Sequence, residues 1–222
     1  MIRAVLFDLD ETLIIRAGAI RAFIAGQYER FASRLGGIDA AIYQSRFLDM
    51  EDNGRIAKDV LYPDFVAALG IKDVSAAELL EDYRAIYPSC AVLNDGAKET
   101  VEAIHARGLP LGVISNGNER VQLAKLKSIG LIDLLQTVVI SEAVGLRKPD
   151  PAIFHLAADR LGIPPGETLY VGDNPEVDVV GAAQAGLQTA WFRNGQPWPD
   201  GLLPRADVDI DSLGELLHFP GK

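Results

Sequence analysis

The pattern of apolar and polar positions changes its period along the chain and divides it into three parts. Residues 4–7 are continuously apolar, which is typical of a strand buried on both faces of a parallel sheet. From about residue 16 to residue 88 the apolar residues recur at helical spacing, and no strand is predicted there. After Pro88, strand-like and helix-like segments alternate to the end of the chain.

The middle part is predicted to form four helices. The first carries an apolar stripe from Ile20 to Leu35, with Gln27 as the polar exception on that stripe. The other three are predicted over residues 41–52, 56–69 and 75–86, the second of them interrupted at Pro63. About seventy residues of helix therefore follow the first strand.

The last part predicts repeated β-α-β units. Its strands are predicted over residues 111–114, 137–140, 169–171, 189–192 and 208–210. Its helices are predicted over residues 96–107, 119–129, 151–161, 177–185 and 212–217. Such units form a doubly wound parallel sheet with right-handed crossovers. We therefore expect an α/β core of residues 1–15 and 89–222, with a helical cap domain, residues 16–88, inserted after its first strand.

Composition narrows the class of function. The 222 residues carry a formal net charge of −10, so a nucleic acid polymer is not an expected partner, because binding its phosphates needs clustered Lys and Arg. No apolar run reaches the length of about 18 residues that a membrane helix needs, and no signal peptide is recognised. Cys90 is the single cysteine, so no disulfide framework forms within one chain, and the sequence predicts a cytoplasmic protein. The sequence leaves the oligomeric state open.

Polar side chains follow four of the predicted strands. The first strand is followed by Asp8 and Asp10, the second by Ser115 and Asn116, the third by Lys148, and the fourth by Asp173 with Asp178 five residues later. In open α/β sheets, ligands bind where the carboxyl ends of the strands meet. We therefore expect these side chains to form one site.

Asp8 and Asp10 are the most informative pair in this set. In an extended chain, residues i and i+2 face the same side, so the two carboxylates converge. Two close carboxylates do not both ionise readily unless a cation lies near them. The pair is suited to a nucleophile with a general acid, or to a hard cation such as Mg²⁺.

In these motifs the chain resembles the haloacid dehalogenase-like hydrolase superfamily, and its phosphatase branch in particular. The matching elements are Asp8-Leu9-Asp10-Glu11-Thr12, Val113-Ile114-Ser115-Asn116, Lys148-Pro149, and Gly172-Asp173 followed by Asp178. The helical block is similar to the small helical cap of that superfamily. One departure is Glu11, at a position where the family often has Asp, Gly or Asn.

The resemblance implies a Rossmann-like core and roles for each residue. Asp8 is the expected nucleophile, which forms an aspartyl-phosphate, and Asp10 the general acid and then the general base. Ser115, Asn116 and Lys148 are expected to bind the phosphoryl group. The resemblance also implies Mg²⁺ as cofactor, held by Asp8, the backbone carbonyl of Asp10, and Asp173. Asp178 and Thr12 are expected to support these groups from the next layer of residues.

The expected activity is therefore Mg²⁺-dependent hydrolysis of a small phosphorylated metabolite. Residues 115–131 and 140–149 look like those of nucleotidase-like members, which makes a nucleoside monophosphate the first substrate hypothesis. A 2-haloacid dehalogenase, a phosphomutase of the same superfamily and a non-enzymatic binding module are the alternatives. Asp10 argues against the dehalogenase, because attack on carbon needs no leaving-group acid and no metal.

Overall fold

Six parallel strands form one sheet in the order β3-β2-β1-β4-β5-β6. The computed structural model describes residues 1–218. Its strands are β1 (Ala4–Phe7), β2 (Leu111–Ser115), β3 (Thr137–Ile140), β4 (Thr168–Gly172), β5 (Gln188–Phe192) and β6 (Val208–Ile210). Every neighbouring pair is parallel, which confirms the predicted doubly wound α/β fold.

β1 occupies the centre of the sheet, and all four of its residues are buried. The chain passes from β1 to β2 and β3 on one side, and later to β4, β5 and β6 on the other. Phe7 pairs with both Val113 of β2 and Val171 of β4, so three strands end close together. Such a reversal of strand order is where open α/β sheets bind ligands.

Helices connect the strands and form most of the chain between β1 and β2. In chain order they are α1 (Arg16–Phe31), α2 (Ala40–Glu51), α3 (Lys58–Leu69), α4 (Ala76–Ile86), α5 (Ala97–Ala106), α6 (Glu119–Ser128), α7 (Ser141–Val144), α8 (Pro151–Leu161) and α9 (Gly181–Gln184). Among residues 1–218, none of them has the length and apolar character needed to cross a membrane.

The described chain divides into two compact units. One contains Met1–Ile15 and the chain from Leu93 onward, and the other is Arg16–Val92. The second unit holds α1 to α4 and no strand among its described residues. A helical unit therefore separates β1 from the rest of the sheet along the chain.

Gln27 is the polar residue on the buried stripe of α1, and it is fully buried. Its Nε2 donates to the backbone oxygen of Leu79 and to the carboxylate of Asp82, at 3.0 and 2.9 Å. Its Oε1 accepts from the hydroxyls of Tyr43 and Tyr62, each at 3.1 Å. These partners satisfy the buried amide. They lie on α2, α3 and α4, so Gln27 links α1 to the other three helices of the helical unit.

The prediction of an interruption at Pro63 is wrong. α3 continues through Pro63 from Lys58 to Leu69. The fixed φ of Pro63 is compatible with helical backbone, but its ring crowds the carbonyl of Asp59 in the first turn and one backbone hydrogen bond is lost. Tertiary packing of Leu61, Tyr62 and Phe65, all buried, compensates for the missing bond.

The segment after β4 also differs from the prediction of one α-helix over residues 177–185. A π-helical turn covers Pro175–Val180 and continues into α9. The side chain of Asn174 caps this turn by accepting from the backbone N–H groups of Glu176 and Val177. The wider turn leaves Asp178 buried, with 1% of its surface exposed. Such turns are frequent at functional sites.

Candidate active site

Asp8 and Lys148 form a buried ion pair at the carboxyl end of β1. Asp8 is 7% exposed and Lys148 is 4% exposed. The Nζ of Lys148 lies 2.5 Å from Oδ1 of Asp8. The backbone N–H of Asp8 donates to the carbonyl of Val171 at 2.8 Å, so the sheet itself fixes this residue. The structure thus brings together two of the residues predicted from the sequence.

Lys148 has two further partners. Its Nζ lies 2.7 Å from Oδ1 of Asp178 and 2.8 Å from the hydroxyl of Tyr170. The Tyr170 hydroxyl also donates to Oδ1 of Asp178 at 3.2 Å. Burial by itself lowers the pKa of Lys148, but Asp178 and Asp8 outweigh it and raise this pKa above its usual value. The ammonium therefore stays charged between two carboxylates.

Asn116 fixes the backbone of Lys148. Its Nδ2 donates to the carbonyl of Lys148, and its Oδ1 accepts from the N–H of the same residue, each at 3.0 Å. Both ends of the amide are used in this pairing. In the structure Asn116 positions the lysine, and its contact with phosphate stays a prediction.

Asp173 is the third carboxylate of the site. Its Oδ1 accepts from the hydroxyl of Thr12 at 3.1 Å. Oxygens of Asp8, Asp173 and Asp178 all lie within 4.8 Å of one another. Burial raises the pKa of Asp8 to about 7 and that of Asp173 to about 8; among the charges, Lys148 opposes the shift at Asp8 and Asp178 adds to the shift at Asp173. Thr12 therefore contacts a carboxylate of the site directly, and its supporting role in catalysis stays a prediction.

Asp10 points its carboxylate to a different set of partners. Lys125 donates to Oδ1 and Oδ2 of Asp10 at 2.8 and 3.1 Å. Gln122 donates to Oδ2 at 2.7 Å, and the same amide nitrogen lies 2.6 Å from Oγ of Ser115. Both residues belong to α6 and both are 3% exposed. The two carboxylates of the Asp8–Asp10 pair are therefore held by two different lysines.

The loop that carries Asp10 is a tight turn. The N–H groups of Leu13 and Ile14 both donate to the carbonyl of Leu9, and the N–H of Glu11 donates to the carbonyl of Ile14. To close this turn Glu11 adopts a φ of 63°, in the left-handed region. Asn, Asp and Gly enter that region most readily, which gives a physical reason for the family preference at position 11.

Comparison with known proteins identifies the family of this chain. Residues 2–186 match the sequence profile of the haloacid dehalogenase-like hydrolases. The chain belongs to this family. The match confirms the resemblance recognised in the motifs and the expectation that the chain is a hydrolase.

Named relatives of this hydrolase span nearly its full length. A ribulose-1,5-bisphosphate 5-phosphatase of Halopiger xanaduensis is 34% identical, with 97% of this chain and 98% of the relative aligned. A pyrimidine 5'-nucleotidase of Escherichia coli is 30% identical, covering 96% of this chain and 95% of the relative. Among solved structures, a 2-haloacid dehalogenase of Pseudomonas syringae matches with a TM-score of 0.72 at 28% identity, covering 98% of this chain and 97% of the other.

The carboxylates of this hydrolase fit a hard divalent cation. Carboxylate oxygens are the donors that Mg²⁺ prefers, and three of them lie within reach of one another. Asp8, Asp10, Asp173 and Asp178 together face the ammonium groups of Lys125 and Lys148, so the ionised cluster of these six residues has two unmatched negative charges. One divalent cation balances that charge, and its positive charge lowers the pKa values of Asp8 and Asp173 against the effect of burial.

Three residues that contact the candidate site of this hydrolase were not among those expected from the sequence. Tyr170 lies between the apolar residues Leu169 and Val171 in β4, and its hydroxyl reaches Lys148. Gln122 and Lys125 fall on the buried stripe of α6, beside Val121 and Leu126. A polar residue on an apolar stripe is the signal that could have identified them, because burial of such a side chain requires a partner.

Proposed function

We propose that this hydrolase is a Mg²⁺-dependent phosphatase that acts on a small phosphorylated metabolite through an aspartyl-phosphate at Asp8. The observation that carries the proposal is the contact of Lys148 with Asp8 at 2.5 Å in a buried site, with a second carboxylate, Asp10, two residues away. A lysine beside the nucleophile neutralises charge on both the attacking carboxylate and the transferred phosphoryl group.

In the first step, an Oδ atom of Asp8 attacks the phosphorus atom. The bond from phosphorus to the ester oxygen breaks, and the leaving oxygen takes a proton from the carboxyl group of Asp10. The departing alcohol is neutral, and the phosphoryl group is bound to Asp8.

In the second step, the carboxylate of Asp10 removes a proton from a water molecule. The water oxygen attacks the phosphorus atom, the bond to Asp8 breaks, and inorganic phosphate leaves. Asp10 is then protonated again and Asp8 is free, so the cycle is complete. Ser115 is expected to hold a phosphoryl oxygen through its hydroxyl during both steps.

The donor set supports Mg²⁺ as cofactor, with Asp8, Asp173 and the backbone carbonyl of Asp10 as its expected ligands. A bound Mg²⁺ supplies positive charge against the phosphoryl oxygens. Asp178 holds Lys148 in place and Thr12 holds Asp173, so both keep the catalytic groups in position.

The substrate is proposed at the level of a class. A nucleoside monophosphate is the first hypothesis, which agrees with the named activity of the Escherichia coli relative. The Halopiger xanaduensis relative is named for a sugar bisphosphate, so a sugar phosphate is the second. Both are alkyl phosphate monoesters, which need a general acid for the leaving oxygen.

Phosphate release from a panel of nucleoside monophosphates, sugar phosphates and p-nitrophenyl phosphate tests the proposal. We expect release that requires Mg²⁺, is abolished by chelation and is lost in the Asp8→Asn variant. Equal rates with and without Mg²⁺, or an undiminished rate in Asp8→Asn, would contradict it. Chloride release from 2-chloropropionate without Mg²⁺ would instead support a dehalogenase, and isomerised phosphate esters without free phosphate would support a phosphomutase.

A further inference from the structure

Two buried side chains on α6 contact the carboxylate of Asp10, and the proposed mechanism assigns them no role. Lys125 reaches both carboxylate oxygens, and Gln122 reaches Oδ2. The side chain of Lys125 is only 4% exposed, whereas that of Asp10 is 22% exposed. Asp10, which delivers the proton in the proposed mechanism, is therefore the more exposed partner of this contact.

Stability alone is a weak reason for this arrangement. A buried ion pair contributes little or nothing compared with apolar residues of similar volume, because both charges lose their hydration. α6 could bury an apolar residue at position 125 next to Leu126 at lower desolvation cost. The main effect of the contact is therefore on the geometry of the Asp10 carboxylate.

The geometry points to Gln122 and Lys125 as positioning residues that fix the carboxylate of the general acid relative to the phosphate-binding hydroxyl. Two bonds from Lys125 to the two oxygens restrict the rotation of the carboxylate plane. The amide nitrogen of Gln122 bridges Oδ2 of Asp10 and Oγ of Ser115, at 2.7 and 2.6 Å. This inference rests on the proposed function, because it gives the two residues a role only if Asp10 transfers protons.

Displacement of the Asp10 carboxylate affects substrates to different extents, depending on whether the leaving group needs a proton. An alcohol must be protonated as it leaves, whereas p-nitrophenolate leaves as a stable anion. A displacement of a catalytic group by about 1 Å can reduce the rate by roughly 10²-fold. A displaced Asp10 therefore slows the cleavage of an alkyl phosphate much more than that of p-nitrophenyl phosphate. The ratio kcat/KM reports this step, because it includes only events up to the release of the first product.

The test compares kcat/KM for p-nitrophenyl phosphate with that for the alkyl monoester of the panel that the unaltered enzyme hydrolyses fastest. In Lys125→Met and Gln122→Leu we expect a loss of about tenfold or more for the alkyl ester, and of less than about threefold for the aryl ester. Lys127→Met is the matched control, because Lys127 lies on the same helix and is exposed. It should leave both ratios unchanged.

A conservative variant separates positioning from folding. Lys125→Arg keeps a cationic donor and should recover most of the alkyl rate lost in Lys125→Met. If Lys125→Met folds poorly, the loss of active protein lowers both ratios by the same factor, and Gln122→Leu with Lys125→Arg still tests the selective effect. Equal losses for the two substrates in all these variants would overturn the inference, and so would full alkyl activity in Lys125→Met.

A double-mutant cycle identifies the residue through which Lys125 acts. Asp10→Asn removes a proton transfer worth roughly 10² to 10⁴ in rate, and its residual activity on the alkyl ester is measured with more enzyme. In that background, Lys125→Met should change kcat/KM by less than about twofold, because its partner has already lost its function. A full additive loss would contradict positioning through Asp10.

The failure of this inference differs visibly from failure of the proposed function. If the unaltered enzyme shows no Mg²⁺-dependent phosphate release that depends on Asp8, the proposed function is wrong and the inference is overturned with it. If the unaltered enzyme is active and the α6 variants show no substrate-selective loss, only the inference is wrong.

Discussion

A Cβ atom on Gly172 would lie 2.5 Å from both Cβ and Cγ of Asp178. No real side chain tolerates that distance, so the last residue of β4 leaves the space in which Asp178 approaches Lys148. Gly172→Ala should displace Asp178 and reduce phosphatase kcat by about tenfold or more, and destabilise the fold by about 1–3 kcal/mol. Steady-state kinetics and denaturant unfolding measure the two effects.

Gly166→Ala is the control for that variant, because a Cβ at Gly166 has no atom within 4 Å among the described residues. It should leave kcat unchanged. A Gly172→Ala enzyme with full activity would contradict the requirement for Asp178 at this position.

Lys148 is the single cation between Asp8 and Asp178 in the described contacts. Lys148→Met should abolish measurable phosphatase activity, because it leaves two buried carboxylates without their partner. The free energy of unfolding should fall by about 3–5 kcal/mol, as for other buried pairs that lose one member. Arg147→Met, at the exposed neighbouring position, should change neither quantity. Activity retained in Lys148→Met would argue against its assigned role.

The raised pKa values of Asp8 and Asp173 predict how Mg²⁺ binding depends on pH. Their pKa values, about 7 and about 8, lie above the ordinary value of 3.8. At pH values between the ordinary and the raised pKa, the folded metal-free protein therefore binds more protons than the unfolded chain. The stability from these groups is complete below pH of about 4 and is lost as pH rises through 7 and 8. Mg²⁺ must displace the protons at pH 6 but meets ionised carboxylates above pH 8.

Thermal unfolding with and without Mg²⁺ measures this effect. We expect Mg²⁺ to raise Tm more above pH 8 than at pH 6, and the Mg²⁺ effect to disappear in Asp173→Asn. A Mg²⁺ shift of Tm that is larger at pH 6, or one that persists in Asp173→Asn, would be inconsistent with a metal site at these carboxylates.

Glu11 offers a test of backbone strain. Its φ of 63° lies in the left-handed region, which costs a residue with an ordinary side chain roughly 1–2 kcal/mol. Asn enters this region more readily, so Glu11→Asn should stabilise the protein by about 0.5–1 kcal/mol without loss of activity. Chemical denaturation provides the measurement, and an unchanged or lower stability would show that the turn is not strained at this residue.

The sequence predicted the sheet well because its strands are buried on both faces. The run Ala4–Phe7 and the later strands beside β1 are dominated by apolar residues, and the residues that follow them carry the polar chemistry. Because parallel strands end at one edge, Asp8, Lys148 and Asp173 could be grouped from the amino-acid sequence alone.

The features that the sequence did not predict depend on tertiary contacts, which the periodicity of apolar residues does not encode. In place of one helix over residues 177–185, a π-helical turn precedes α9; Asn174 caps this turn, and its backbone N–H donates to the buried Asp178. The amide of Asn116, which is expected to bind phosphate, also pairs with the backbone of Lys148, and the sequence does not indicate that contact. Lys125 lies 115 residues from Asp10 in sequence, and a lysine on a helix is usually solvated.

The proposed mechanism requires Asp8 to accept the phosphoryl group, and trapping that adduct tests this requirement most directly. In Asp10→Asn, p-nitrophenyl phosphate can still phosphorylate Asp8, since its leaving group needs no acid, whereas hydrolysis of the adduct lacks its base. Acid quenching followed by peptide mass spectrometry should find one phosphoryl group on Asp8. Phosphoryl transfer to another residue, or turnover of p-nitrophenyl phosphate by Asp10→Asn with no covalent adduct, would contradict the account.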